Sequence, residues 1–582
     1  MRKTTLLVGA VYLFLIAILG ASAPSLNSHL IGNNIDSWIF FWNDWWFRTS
    51  VAEGSNLFFT PYLFAPAGTD LTLHSSSFVT SALAYLFESF TGPVAAYNLA
   101  LLSGLWIGAL GMFLLAQEHT ENVASGFVAG ILFTFAPYHL TQVFAHAHLG
   151  SIHWWPWFLL SIFWLFKTSK WQYALFASLF GALTFWTGLQ LAILLAFLTL
   201  FYLLITFERS AWTARNVILL TTAGFVTVVL CSPYLIQLFV SRGELAAATT
   251  FFDDGSLKQT DVLAYIIPPT YHPLWGIGFV PFYENFVANR AYVPYLGLTS
   301  IVLAIVAAVR FRQARYWLIG TIVWISLALG TQFRFNGTVT DFPLPFDLIN
   351  DVFPFSALRS PDRFNLLVVF SLSMIVGYAI KAIPNTNNRL GIIGLISGLL
   401  VLEFLVFPLP THELPGYSEF YETLAEVESD EAVFDYPAGY SNAKIWLYYQ
   451  TIHEKPTVDG HLSRYDQSTY QFIAESPLAQ ALYANESSPG NMMIPVAETV
   501  TPPVDDFLNN NIRYVIHHLE YSDEIQKEHL YKTLPYVPIY KDEVIEVFDL
   551  ANLNPYEFTA SLTHHPSNLS FGPSIQLDYV SW

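Results

Sequence analysis

Cysteine is almost missing from this chain. Cys231 is the only one, and it lies in an apolar run, so an internal disulfide and a thiolate zinc cluster are both excluded. Charge is scarce as well. Asp, Glu, Lys and Arg make up 12% of the residues, against about 25% in a soluble domain. Basic residues are the rarer sign, 25 against 44 acidic ones, for a net charge of −19. That balance argues against a nucleic-acid partner. The excess is local: residues 409–582 hold 26 acidic and 7 basic side chains, whereas 1–408 hold 18 of each. No HExxH motif, solenoid repeat or low-complexity tract occurs. What is abundant is apolar and aromatic: 54% hydrophobic residues, with 17 Trp and 49 Phe. This composition predicts a polytopic membrane protein.

Runs of the ~17–25 residues needed to cross a bilayer fall near 4–23, 93–117, 123–143, 152–166, 171–187, 188–207, 216–239, 293–309, 316–333, 364–380 and 390–408. About eleven spans are therefore expected. The first follows a basic start and ends in Ala21-Ser22-Ala23, like a signal peptide. Pro24 disfavours cleavage there, so the segment is read as a retained helix. With the N-terminus on the cytoplasmic side, Arg2, Lys3, Lys167, Lys170, Arg209, Arg215, Arg310, Arg312, Arg315, Lys381 and Arg389 all fall on that side, as the positive-inside rule requires. Loop 117–122 is the one inner loop without Lys or Arg. The loops 24–92, 240–292 and 334–363, and everything after about 410, then face outward. Residues 76–90 read as an interfacial or re-entrant helix.

The chain thus divides into a transmembrane domain, 1–410, and an acidic extracytoplasmic α/β domain, 411–582. In the latter, EAVFDYP (431–437), IRYVIHH (512–518) and EVIEVFDL (543–550) predict strands. SNAKIWLYYQTIH (441–453) predicts a helix capped by Ser441 or Asn442. The expected location is the plasma (inner) membrane, multi-pass.

Three stretches carry candidate chemistry. The first is NNIDSWIFFWNDWW, 33–46. On a helix advancing about 100° per residue, Asp36, Phe40, Asn43 and Phe47 share a stripe, with Trp38, Trp42 and Trp45 opposite. Tryptophan favours the headgroup level of a bilayer. The pattern predicts an interfacial helix with its tryptophans toward lipid and Asp36 toward a cavity, as a base or a metal ligand. Asp44, about 80° from that stripe, is placed beside the same cavity. The plainer alternative is that Asp36 only caps the helix.

The second is FAPYHLTQVFAHAHLGSIHWWPW, 135–157. The spacing of seven puts His139, His146 and His153 on one face if a helix persists, with His148 nearby. Such imidazoles bind a divalent metal, a sugar or a phosphate, or are simply satisfied by water and backbone. The third is FSALRSPDRFNLL, 355–367. Arg359 and Arg363 stand on the outer side against the basic-inside trend, and guanidinium is a bidentate partner for phosphate. Their alternatives are lipid headgroups or Asp362. Arg290 is a weaker candidate of the same kind. His272 and Trp275, in the long loop, could meet an acceptor. His453, Asp459, His461 and Arg464 form either a second site or a polar turn.

These stretches, with NLFFTPYLFAPAGTDLTLH (56–74) and GPVAAYN (92–98), come in an order that resembles the GT-C polytopic glycosyltransferases. That superfamily includes protein O-mannosyltransferases, aminoarabinose transferases and related uncharacterised bacterial and archaeal membrane proteins. The resemblance covers roughly 1–410. It implies a polyprenyl-phosphate or -pyrophosphate sugar donor, membrane lipids around the site, and an acceptor hydroxyl on a cell-envelope glycan, lipid or protein. It gives Asp36 the role of base or acceptor-orienting acid, with Asp44 or Asp70 as second acid. His146 matches the commonest histidine position, while His148 and His153 match more variable ones. A divalent ion, Mg or Mn, on Asp36, His146 and His148 is an open expectation. Two other classes remain: a non-catalytic scaffold or lipid-binding protein of the same fold, and a transporter or flippase. The last is disfavoured because the spans are poor in ionisable residues, Glu403 being the main exception.

Overall fold

The computed structural model describes residues 2–32, 36–241, 259–286, 289, 292–352, 355–358, 360–439, 442–464, 467–483 and 503–555. Among them, six helices are long and apolar enough to cross a membrane: Lys3–Ala21, Pro93–Thr120, Ala147–Thr168, Leu189–Thr206, Ala214–Val240 and Pro361–Lys381. A seventh is gained if Val123–Phe135 and Pro137–Ala145, bent by 43°, count as one broken span. The chain is an integral, multi-pass membrane protein, and the expected count of eleven spans is not confirmed among the described residues. Helices do occupy the other four expected positions, Trp171–Thr187, Leu298–Arg310, Arg312–Ala328 and Arg389–Glu403. Their 13 to 17 residues rise at most about 26 Å, short of a ~30 Å hydrocarbon core.

The main helices are α1 (Arg2–Ala21), α2 (Ser37–Glu53), α3 (Phe78–Thr91), α4 (Pro93–Thr120), α5 (Val123–Phe135), α6 (Pro137–Ala145), α7 (Trp155–Thr168), α8 (Trp171–Thr187), α9 (Leu189–Thr206), α10 (Ala214–Val240), α11 (Leu298–Arg310), α12 (Arg312–Ala328), α13 (Asn365–Lys381) and α14 (Arg389–Glu403). The segment of α13 is the central pillar, 94% buried, whereas α10 is only 17% buried and turns its apolar side outward. An apolar helix buried all round belongs to a core, and one apolar and uncovered faces lipid.

After α14 the chain returns to its beginning. Strand β2 (Thr411–Glu413) pairs antiparallel with β1 (His29–Ile31), Leu30 opposite His412. Asn98, fully buried on α4, accepts from the Ile31 N–H at 2.8 Å and donates to the Leu26 and His29 carbonyls. One amide thereby satisfies three backbone groups that pairing with β2 leaves over, and it sets the chain direction just before Asp36.

The C-terminal part contains a four-stranded sheet. Its order is β5 (Tyr540–Lys541), β6 (Ile545–Asp549), β4 (Ile512–His518), β3 (Ala432–Tyr436), antiparallel except for the last pair. Both β3 and β6 are buried along their whole length, which explains why they read as near-continuous apolar runs. Helix α15 (Ala443–His453) packs on α2. Asn442 precedes it at the cap position but makes no side-chain cap bond; its amide donates back to the Pro437 and Ala438 carbonyls.

That packing overturns the expected orientation of the tryptophans. Trp38, Trp42, Trp45 and Trp46 are all buried, none more than 5% exposed. Trp42 donates its Nε1–H to Gln450 Oε1 at 2.7 Å, and Gln450 donates to the Tyr62 and Lys455 carbonyls. The tryptophans anchor α2 under the C-terminal part and do not face lipid. A buried indole N–H usually finds a partner; Trp42 has Gln450 Oε1 and Trp46 the Leu57 carbonyl.

Candidate active site

Four separate segments meet at Asp36. It occupies the N-cap position of α2 but forms no cap bond with its side chain. Its Oδ1 accepts from Lys444 Nζ at 2.5 Å, and its Oδ2 lies 3.3 Å from His146 Nε2. Tyr292 stacks on His146 with ring centroids 5.2 Å apart and its hydroxyl 3.4 Å from Nε2. Burial alone would push the Asp36 carboxyl up, but the hydrogen bond from His146 and the charge of Lys444 outweigh it and hold it far below the usual carboxylate range. It is therefore an anion throughout the neutral range. Its side chain keeps 22% of its surface exposed, so a ligand can reach it.

His146 gets there because the helix does not persist. Ala136, extended ahead of Pro137, ends α5. His146 itself is non-helical, φ −138° and ψ 81°, and ends α6. Gly150 lets the following turn fold back tightly, since a Cβ there would lie 2.5 Å from the Val143 Cα. The expected common face of His139, His146 and His153 is thus broken up. His139 points away from Asp36 and staples the break, one ring nitrogen 2.7 Å from the Phe133 carbonyl and the other 2.9 Å from that of Gly150. His153 packs against α4, where a Cβ on Gly104 would come within 3.0 Å of its Nδ1. His148 stays close, its ring 5.9 Å from that of His146 and 5.2 Å from Phe40.

Asn43 accepts from His74 Nε2 at 3.0 Å and donates to the Ser75 carbonyl. Burial lowers His74 to about 4, so this ring is neutral. The two second-acid candidates stand apart from Asp36. Asp44 lines a different pocket, with Phe41, Trp45, Arg48, Glu88 and Thr451, and burial raises it to about 7. Asp70 accepts from the Thr72 N–H, Gln237 Nε2 and Ser241 Oγ; it ties β-hairpin 59–70 to the end of α10.

Arg363 donates to Gln190 Oε1 and to the Leu358 carbonyl. Its charge acts on Tyr292 and His148, and so does that of Asp36. Arg464, in the C-terminal part, is lowered below an ordinary arginine, by burial first and then by the like charge of Arg363. Arg290 and Arg359 lie outside the described residues. His272 is occupied, 2.7 Å from the Leu402 carbonyl and stacked on Trp275. Of His453, Asp459 and His461, Asp459 is held by the Gly439 and Gly460 N–H groups and His453 Nδ1 accepts from the Lys455 N–H.

A divalent ion does not fit the residues named for it. Lys444 takes one oxygen of Asp36, and one carboxylate with two imidazoles is a poor cage for Mg or Mn, which want oxygen ligands. Among the described residues no group of three or more His, Cys, Asp or Glu is placed to hold a metal. Lys444, Tyr292 and Arg464 were not singled out as members of this site from sequence. A lysine in the first turn of a helix, where the macrodipole disfavours a cation, was the one available signal.

No family model matches the chain, and no curated protein matches it in sequence. Solved structures do match. The mycobacterial arabinofuranosyltransferase AftD, as its R1389S variant, aligns with TM-score 0.58 and 13% identity over 94% of this chain and 42% of that one. This chain thus spans less than half of AftD. ArnT from Cupriavidus metallidurans, in its apo state, aligns with TM-score 0.50 and 13% identity over 93% of this chain and 97% of that one. A second ArnT structure, bound to undecaprenyl phosphate, aligns at 0.49, with 12% identity and coverage of 93% and 96%. These neighbours are GT-C glycosyltransferases, and the chain has their fold.

Proposed function

We propose that this protein transfers a sugar from a polyprenyl-phosphate donor to an acceptor hydroxyl at the outer face of the membrane. The N-terminus and basic loops then lie in the cytoplasm and the C-terminal part outside, at the plasma membrane. Fold alone does not establish chemistry. The observation that carries the reading is a partly exposed Asp36 carboxylate held between Lys444 Nζ and His146 Nε2, in a chain with the fold of ArnT. ArnT, of like fold, has been seen with undecaprenyl phosphate, which fits a phosphate near Arg363 and Arg464.

In this mechanism Arg363 and Arg464 hold the donor phosphate with charge-assisted hydrogen bonds. Asp36 accepts a hydrogen bond from the acceptor hydroxyl and aims its oxygen at the anomeric carbon. As the new C–O bond forms, the anomeric carbon–phosphate bond breaks and its electron pair leaves on the phosphate. The hydroxyl proton passes to Asp36. So acidic a carboxylate takes the proton late, when the acceptor oxygen has already become strongly acidic. Lys444 and His146 hold the carboxylate between them, and Tyr292 stacks on His146.

The test compares wild type and Asp36→Asn in membranes supplied with radiolabelled polyprenyl-phosphate sugars. Transfer by wild type that is lost in a folded variant is the expected result. Equal transfer by both would remove Asp36 from the reaction.

A further inference from the structure

A cavity of about 40 Å³ lies where α2, α3, α4 and α15 meet, and Asp36 is not part of its lining. It exceeds the ~10–15 Å³ that one water needs and is well below the ~300–1,000 Å³ of a drug-sized ligand site. It therefore suits the tip of a polar group. Arg48 and Glu88 line it as an ion pair and stay 29% and 21% exposed, toward solvent. Its neighbours Asp44 and Trp45 contribute two buried polar atoms, Oδ2 and Nε1, that have no hydrogen-bond partner. Trp45 is only 4% exposed.

Polar atoms left unpaired in a protein interior are costly and call for a reason. These two describe the group that would satisfy them. Oδ2 needs a hydrogen-bond donor, and the indole N–H needs an acceptor. Charge narrows the choice. The cation among the lining residues, Arg48, pairs with Glu88. Burial and the like charge of Glu88 act against ionised Asp44, and only a hydrogen bond from Ser81 favours it. A donor that also carries positive charge is an ammonium. The aromatic rings of Phe41 and Trp45 in the lining favour a cation for their own reason, the negative face of a π-system.

The surroundings name the source of that ammonium. Helix α3 gives Ala84 and Glu88 to the lining, and it turns Tyr85, Leu86 and Phe90 outward, 42%, 58% and 80% exposed. An uncovered apolar face on a short helix of a membrane protein lies in lipid, near the headgroups. We propose that the cavity is a binding site for the headgroup of an ethanolamine phospholipid. Its primary ammonium donates to Asp44 Oδ2, its headgroup oxygens accept from Trp45 Nε1–H, and its acyl chains lie outside along α3. Thr451 of α15 also lines the cavity, so the bound lipid touches the C-terminal part as well as the membrane helices. The site stands independently of the transferase reading.

The probes are short-chain phosphatidylethanolamine, short-chain phosphatidylcholine and free ethanolamine. Each is titrated onto the purified full chain in detergent, with binding read by native mass spectrometry. Phosphatidylcholine keeps the phosphate and the positive charge but has no N–H to give Asp44. Wild type is expected to bind the ethanolamine lipid about tenfold more tightly than the choline lipid, the scale of one charge-assisted hydrogen bond. Free ethanolamine, without phosphate or chains, is expected to bind more weakly than the ethanolamine lipid. Asp44→Asn is expected to bring the ethanolamine lipid down to the level of the choline lipid and to leave the choline lipid unchanged. Equal affinity of wild type for the two lipids overturns the proposal, as does a preference that survives Asp44→Asn. Free ethanolamine bound as tightly as the lipid overturns the lipid source. The wild-type comparison needs no variant, so it decides the matter even if Asp44→Asn does not fold.

Discussion

Lys444 and Asp36 stand 408 positions apart in the chain and 2.5 Å apart in the fold. The contact joins the C-terminal α/β part to the first segment after α1, and it decides the electrostatic state of the acid on which the proposed chemistry depends.

The acid limb of catalysis follows from that contact. Burial raises Asp36, but Lys444 and His146 together depress it below its ordinary 3.8. The stabilisation from a depressed carboxyl is present above the unfolded value and is lost as pH falls through the folded one. Wild-type transfer should therefore show no acid limb from Asp36 at pH 5 to 8. In Lys444→Met, burial gains ground over the remaining hydrogen bond, and the limb should move upward by about one unit or more. A pH profile of kcat/KM checks this, and superimposable acid limbs would contradict it.

Asp44 should behave in the opposite sense. Burial raises its carboxyl to about 7, helped by the negative charge of Glu88 and opposed by a hydrogen bond from Ser81. Between the unfolded value and about 7 the folded chain holds the extra proton, so stability declines with rising pH across that window. Asp44→Asn removes the cost. It should stabilise by roughly 2 kcal/mol at pH 8 and hardly at all at pH 4, allowing for partial solvent contact of the side chain. Thermal unfolding of both proteins at the two pH values measures this.

Gln450 is one mechanical link between the halves. Its carboxamide accepts from Trp42 and donates to two backbone carbonyls. Gln450→Ala leaves a buried indole N–H and the Lys455 carbonyl unpaired, while the Tyr62 carbonyl keeps the Thr457 N–H, and should cost about 2 kcal/mol. Because α15 also carries Lys444, the variant should raise KM for donor along with lowering Tm. A lower Tm with unaltered kinetics would show that the link is structural only.

Chelators provide a fourth check. Lys444 stands where a divalent cation at Asp36 would be needed, so transfer should survive EDTA followed by assay without added metal. A loss restored by Mg or Mn would show that the ion displaces Lys444.

Some of this was legible in the chain. IRYVIHH is the strand Ile512–His518 and AKIWLYYQTIH the helix Ala443–His453, because a run of β-branched and aromatic residues or a helical period is a local property. The histidine cluster was visible, but its common face was not real: Pro137 and the non-helical His146 break the period on which the inference stood. The tryptophans were misread for a different reason. Periodicity reports which face of α2 is apolar, and lipid and a protein core satisfy that face equally well.

By itself, the sequence determined a multi-pass membrane chain, an acidic C-terminal α/β part, and the presence of Asp36 and His146 near the mouth of the helices. These follow from composition and short-range pattern. Only the tertiary structure brought Lys444 to Asp36 and Tyr292 to His146, gave Asp44 and Asp70 other surroundings, and turned the tryptophans toward protein. An ion pair needs two charges at contact distance, and contact between positions 408 apart is set by how β1, β2 and α15 pack, which no local pattern encodes.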